Sequence, residues 1–182
     1  MTLKQANELC ILAHAGQWRR PTTVVTDGWD CYKTGEAFIH SNGKRINWCN
    51  GDTFLVYEPY HTHPQAVAAM MDTEHRKILA LLHDVIEDTE YMLTSCCMGG
   101  GQYIILPDKE QHEVSAELYL DLEALTKQPN QTYSQYLDNI SRSSGHVIAV
   151  KLADMFHNIS CNSTQRQKDK YLKAIPILLG AI

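Results

Sequence analysis

The run RKILALLHDVIED (76–88) constrains the fold more than any other stretch of the chain. Ile78, Leu81, Leu82 and Val85 fall at i, i+3, i+4 and i+7, the spacing of a helix with one buried face, which Asp72 or Thr73 would cap. A helix of this kind draws most of its stability from packing, so partners must be found elsewhere in the sequence. Most of them are helices too. Thr2 and Gln5 form a capping box ahead of Leu3, Ala6, Cys10 and Ala13, predicting a first helix to about Gly16. Pro64 suits a first helical position and opens a helix through VAAMM. SAELYLDLEALTK reads as helix, and Thr132 with Gln135 makes a second capping box before TYSQYLDNIS. VIAVKLADMFHNIS reads as a buried helix, and QRQKDKYLKAIPILL as a last one, bent or ended near Pro176.

Two stretches break this frame. In 21–58, TGEAFIH and DTFLVYE are strand-like, and SNGK between AFIH and RINW is a turn signal, so a β-hairpin or small sheet is expected there. A second non-helical insertion is expected over about 95–114, around Gly99–Gly101 and YIILP. The fold class is therefore mainly α, a helical bundle with a small β-hairpin insertion and a second non-helical one. With 182 residues the chain is read as a single domain over 1–182, large enough to bury about 70% of its extended surface without staples.

Composition removes several functions. A net charge of −5 gives no footprint for nucleic acid or for an anionic membrane. No apolar stretch approaches the length of a spanning helix, and MTLKQANELCILAHAG lacks the apolar core of a signal peptide. Six cysteines lie scattered without a CxxC pair, which points to buried thiols in a reducing cytoplasm. Nothing in the sequence assigns a role to Cys96 or Cys97.

The chemistry concentrates in three places. His83, Asp84, Glu87 and Asp88 follow directly on the apolar ILALL, and on a continuous helix His83/Glu87 and Asp84/Asp88 would be i, i+4 pairs. An adjacent His and Asp can chelate one divalent ion if further ligands arrive from elsewhere, although by spacing alone this is equally a helix end with solvated acids. His63 sits at a predicted helix N-terminus. Asp154 and Asn158 are polar residues at i, i+4 inside an apolar helix, where a buried carboxylate needs a counter-charge.

Taken with their flanks, AHAGQWRR (13–20), PYHTHPQAVA (59–68), ALLHDVIEDT (80–89), LTK (125–127) and VKLADMFHN (150–158) resemble the hydrolase domain of the RelA/SpoT family, within the HD-domain metal phosphohydrolases. TYSQYLDNIS ahead of VKLAD is more similar to the small stand-alone hydrolases of the group, which occur in animals, bacteria and phages. The resemblance implies an HD-domain bundle and makes His63, His83, Asp84 and Asp154 the ligands of one Mn²⁺ per site. Nitrogen and oxygen donors without thiolate agree with that metal. It implies that Glu87 and Asp88 handle the attacking water and its proton, and that Arg19, Arg20 and Asn158 contact a nucleotide. Lys151 is open between steering phosphate and packing beside Asp154. His14 and Gln17 are expected to brace the fold.

The implied activity is removal of the 3′-pyrophosphate of guanosine tetra- or pentaphosphate alarmones in the cytoplasm of a bacterium or of a phage host. The substrate is a nucleotide, with no nucleic acid and no membrane as partner. Alternatives are another nucleotide, such as the 2′-phosphate of NADPH or a deoxynucleotide phosphate, and a binding module without turnover. Departures from the family pattern bear on substrate. The insertion 21–58 replaces a short Gly-Glu-Pro-Tyr stretch and is open to service as a lid, a specificity loop or a homo-oligomer contact. Met155 stands where Arg often follows Asp154, and Cys161 where Thr is common.

Overall fold

The structure is a computed structural model that describes residues 1–19, 22–25, 31–34, 37–40, 45–50, 53–95, 101–105, 111–161 and 163–182. In chain order the elements are α1 (Leu3–Ala13), β1 (Thr22–Val25), β2 (Cys31–Thr34), β3 (Ala37–His40), β4 (Arg45–Asn50) and β5 (Thr53–Tyr57). There follow α2 (Thr62–Ala69), α3 (Glu74–Leu82), α4 (Val85–Asp88), β6 (Met92–Ser95), β7 (Gln102–Ile105) and β8 (Gln111–Val114). The chain closes with α5 (Ala116–Leu125), α6 (Tyr133–Ser141), α7 (Gly145–Ser160) and α8 (Gln165–Leu179). The whole divides into two compact units, Met1–Ala13 with His63–Ile182, and His14–Thr62.

The first unit is the expected mainly α bundle. Helix α7 lies at its centre, touching α3, α5, α6 and α8, while α1 packs on α3. Its apolar residues Val147, Ile148, Val150, Leu152 and Met155 are buried with Leu9, Leu79, Leu82, Leu122, Ile140 and Leu178 in one core. Each such side chain contributes about 1.5–3 kcal/mol by leaving water. The predicted capping boxes are present: Gln5 N–H donates to Thr2 Oγ1 at 3.3 Å, and Thr132 and Gln135 satisfy one another reciprocally. Thr73, of the two candidates, caps α3. A third box, Thr164 with Gln167, opens α8.

Three expectations need correction. Helix α1 ends at Ala13, and Gly16, at φ +80°, takes the left-handed turn that follows. Helix α2 starts at Thr62, two residues before Pro64, and stops at Ala69. Pro176 sits in the last turn of α8, where its missing N–H costs one bond, and the helix ends just beyond it at Leu179, near the proline as expected. The run 74–88 is two helices, not one. His83 caps the end of α3 and Asp84 the start of α4. His83 Nδ1 lies 2.7 Å from the Ala80 carbonyl, the acceptor that a continuing helix would give to the Asp84 amide.

The stretch read as non-helical over 95–114 is an antiparallel meander, β6-β7-β8, that begins at Met92. Ile104 and Val114 are its buried residues, and β7 touches α5. Cys96 and Cys97 lie outside the described residues. The first turns of α3 and α7 meet α5 in a polar clasp. Buried Asp121 accepts from Ser144 Oγ at 2.7 Å and from His75 Nε2 at 2.8 Å, and Arg76 Nε donates to His146 Nδ1 at 3.2 Å.

The His14–Thr62 unit is a five-stranded antiparallel sheet in the order β1-β5-β4-β3-β2. The expected AFIH/RINW pairing is there, Phe38 opposite Ile46 and Ile39 opposite Arg45, although residues 41–44 of the turn lie outside the described residues. Around this pair the sheet is larger than a hairpin, because β5 also pairs with β1 (Thr22 opposite Val56). At the base, Trp18 bridges Pro59, Arg19 N–H donates to the Glu58 carbonyl at 2.9 Å, and Tyr60 N–H donates to the Gln17 carbonyl at 3.0 Å.

Candidate metal centre

Four side chains from three places in the sequence converge in the helical unit. His63 enters from the first turn of α2, a turn anchored when Thr62 Oγ1 donates to the Pro59 carbonyl at 2.8 Å. His83 and Asp84 come from the break between α3 and α4, and Asp154 from the middle of α7. His63 Nε2 lies 3.0 Å from Asp154 Oδ1 and 3.6 Å from Asp84 Oδ2. His83 Nε2 lies 3.1 Å from Asp84 Oδ1 and 3.8 Å from Asp154 Oδ1. His63, His83 and Asp154 are all buried, and they form a group that could hold a metal ion.

The donor atoms suit a cation. With Nδ1–H given to the Ala80 carbonyl, His83 aims Nε2 at two carboxylate oxygens. That nitrogen is buried and, among the described residues, finds no aligned hydrogen-bond partner. Facing carboxylates in a dry site, that nitrogen calls for positive charge, supplied either by a second ring proton or by a cation between the groups. Asp84 also makes no side-chain cap bond to α4, although it stands at the N-cap position, so its carboxylate faces the imidazoles instead. The break between α3 and α4 thus does what the predicted i, i+4 pairing on one helix would not.

Electrostatics show the same demand. Burial opposes charge on His83, yet the Asp84 carboxylate outweighs it and holds the imidazole up to about 10. Burial likewise opposes ionisation of Asp84, but His83 brings it down to about 2. His63 is different: burial prevails and keeps it below the ordinary imidazole value, neutral as a ligand must be.

Other predicted residues take defined places. Lys151 Nζ lies 2.9 Å from Asp154 Oδ2, and Asn158 Nδ2 donates to Asp154 Oδ1 at 2.6 Å. Burial works against the Lys151 charge, but Asp154 holds it well above the usual lysine value. Glu87 and Asp88 are exposed on α4, one turn past Asp84. Partial burial of the Glu87 carboxyl raises its pKa, against the pull of Lys151 and of the Lys127 backbone N–H. Arg19 belongs to the His14–Thr62 unit, as do His14 and Gln17, whose Nδ1 and Oε1 lie 2.9 Å apart. Arg20 lies outside the described residues.

Two residues beside the centre carry no signal in the sequence. His157 places Nδ1 2.7 Å from His63 Nδ1. Lys170 on α8 stands 4.5 Å from the Tyr133 ring, where burial and then Lys151 lower its pKa while Asp154 and Glu87 oppose. A second His/acid group, His75, Glu117 and His146, belongs to the clasp. There His146 Nδ1 accepts from Arg76 and His75 is held by Asp121, so its polar atoms serve one another.

Fold and site together are a mainly α bundle in which two histidines and two aspartates converge. Among solved structures the chain is similar to a metazoan ortholog of SpoT that hydrolyses ppGpp and plays a role in starvation responses, with a TM-score of 0.54 over 98% of this chain and 84% of that one. At 17% identity the likeness is one of fold. No protein-family model and no curated protein matches the sequence. Among the described residues no helix is long and apolar enough to cross a membrane.

Proposed function

We propose that residues 1–182 act as one metal-dependent phosphohydrolase domain that removes the 3′-pyrophosphate of guanosine tetra- or pentaphosphate alarmones. The observation that carries this reading is the convergence of the buried Nε2 atoms of His83 and His63 on the Asp84 and Asp154 carboxylates. His63, His83, Asp84 and Asp154 would hold one Mn²⁺. When bound, the ion would supply an acidified water and offset charge on the phosphoryl oxygens. Lys151 and Asn158 fix the Asp154 carboxylate, one on each oxygen, so it keeps its place as the site fills and empties. Glu87, its carboxyl raised above the usual glutamate range, accepts a proton from water nearer neutral pH, and Asp88 shares that acidic rim. Asn158, Lys151, Arg19 and Arg20 are assigned to the nucleotide. The fold likeness to a ppGpp hydrolase supports this choice of substrate.

One observation favours a different nucleotide, such as the 2′-phosphate of NADPH or a deoxynucleotide phosphate. Met155, at the position where the family often has Arg, is buried in the core, and Cys161 lies against His157. Purified protein with Mn²⁺ should release pyrophosphate from the alarmone in a nucleotide panel, and Asp84→Asn should lose both bound manganese and turnover. Cleavage of another nucleotide with the alarmone untouched would overturn the substrate, and full activity in Asp84→Asn would overturn the site.

A further inference from the structure

The contact between His63 and His157 pairs two imidazoles through the same kind of atom, Nδ1 to Nδ1 at 2.7 Å, across 94 positions of sequence. Two ring nitrogens this close share one proton: one donates it and the other must present a lone pair. His63 has its other nitrogen, Nε2, in the carboxylate cluster, 3.0 Å from Asp154 Oδ1. If a cation is to bind that Nε2, the neutral ring must carry its proton on Nδ1. His157 must then accept it, which puts the His157 proton on Nε2. Cys161 Sγ lies 3.6 Å from that Nε2 and 3.8 Å from Nδ1, beside the ring and in line with neither nitrogen. The order is therefore Nδ1–H of His63 into Nδ1 of His157, whose own proton sits on Nε2.

We propose that His157 is a positioning residue that locks His63 in the Nδ1–H tautomer, so that a bare Nε2 faces the cation. This rests on the proposed metal site. The placement is suited to that task. His157 is one turn past Asp154 on α7, so a single rigid helix delivers both a carboxylate to the centre and the brace for the imidazole facing it. Its backbone is fixed as well, the carbonyl accepting from Cys161 N–H at 3.0 Å and from Ser160 Oγ at 2.8 Å. The rings of His63 and His157 lie 4.8 Å apart at 38°, leaving little freedom for His63 to rotate. For His83 the Ala80 carbonyl does the same work. The two imidazoles of the centre are thus held by different devices, a backbone oxygen for one and a second imidazole for the other.

The test uses the full chain, with manganese for affinity and diamagnetic zinc for spectra. In His157→Phe, which keeps an aromatic ring without an acceptor, Mn²⁺ affinity measured by titration should fall about 10–100-fold. His157→Asn, whose Oδ1 replaces the Nδ1 acceptor, should restore most of it. Equal affinity in wild type and His157→Phe would overturn the proposal while leaving the metal site standing, whereas wild type that binds no manganese would overturn both. Tautomers give an answer without any variant. In the zinc-loaded wild type, ¹⁵N imidazole spectra should show His63 protonated at Nδ1 and His157 at Nε2. A His157 protonated at Nδ1 would refute the assignment.

Discussion

Lys151 Nζ holds Asp154 Oδ2 at 2.9 Å, and so leaves Oδ1 as the oxygen that meets His63 and His83. Replacing the lysine strands a buried carboxylate. Lys151→Met is expected to lose about 3–5 kcal/mol of stability. Manganese at a hundredfold excess over its dissociation constant should return about 2.7 kcal/mol. Thermal melts with and without the ion check this: the variant should gain from manganese, and a melt identical to wild type would show the pair to be idle.

Glu87 is expected to set the acid limb of the reaction. A base works ionised, so activity should fall as pH drops through its raised pKa, above the usual glutamate range. Glu87→Gln should bind manganese as wild type does but turn over about 10²–10⁴-fold more slowly, and the acid limb should vanish from what activity is left. The pH–rate profiles of both proteins, with manganese titrations alongside, decide it.

Alkali should unfold the chain early. Burial, helped by the nearby Asp84 charge, pushes the Cys10 thiol up to about 12, and burial does the same for the Tyr133 hydroxyl. Below the ordinary thiol value, about 8.5, the contribution of Cys10 is fully present. Between that value and about 12 the unfolded chain releases a proton that the folded chain keeps, so stability falls as pH rises. Tyr133 adds a decline of the same sign from about 10 upward. Urea midpoints between pH 8 and 10 should drop in wild type and stay flatter in Cys10→Ala.

The clasp between α5 and the first turns of α3 and α7 should matter to stability and not to chemistry. Asp121→Asn keeps the shape but weakens the bond to His75, and should cost about 1–3 kcal/mol in urea unfolding. Manganese affinity should be unchanged, since Asp121 does not touch the His63/His83/Asp154 group. A loss of metal with no loss of stability would contradict this division of labour.

Most of the candidate site was legible because its residues violate a pattern. Asp154 interrupts an apolar helix, and His83 with Asp84 ends one. Hydrophobic periodicity could not reveal the break at 83–84, because both residues keep right-handed helical angles (φ −59° and −96°), so Val85 stays in phase and only the hydrogen bonding changes. The AFIH/RINW hairpin was readable from its turn. Strand β1, at the edge beyond β5, was not, since β5 lies about thirty residues on and nothing local encodes that register. His157 was equally silent. One more histidine on a helix carries no periodic signal, and its role depends on His63, 94 positions earlier.

The excursion from His14 to Thr62 leaves and re-enters the helical frame through two backbone stretches stitched side by side, Arg19 N–H to Glu58 and Tyr60 N–H to Gln17, with Trp18 bridging Pro59. Chain held this way stays about 4.8 Å from its neighbour whatever follows it. Everything beyond the stitch can therefore be lengthened, trimmed or exchanged as a cassette without pulling on α1 or α2. A lineage could refit this appendage for new tasks while the candidate site of the helical unit stays as it is.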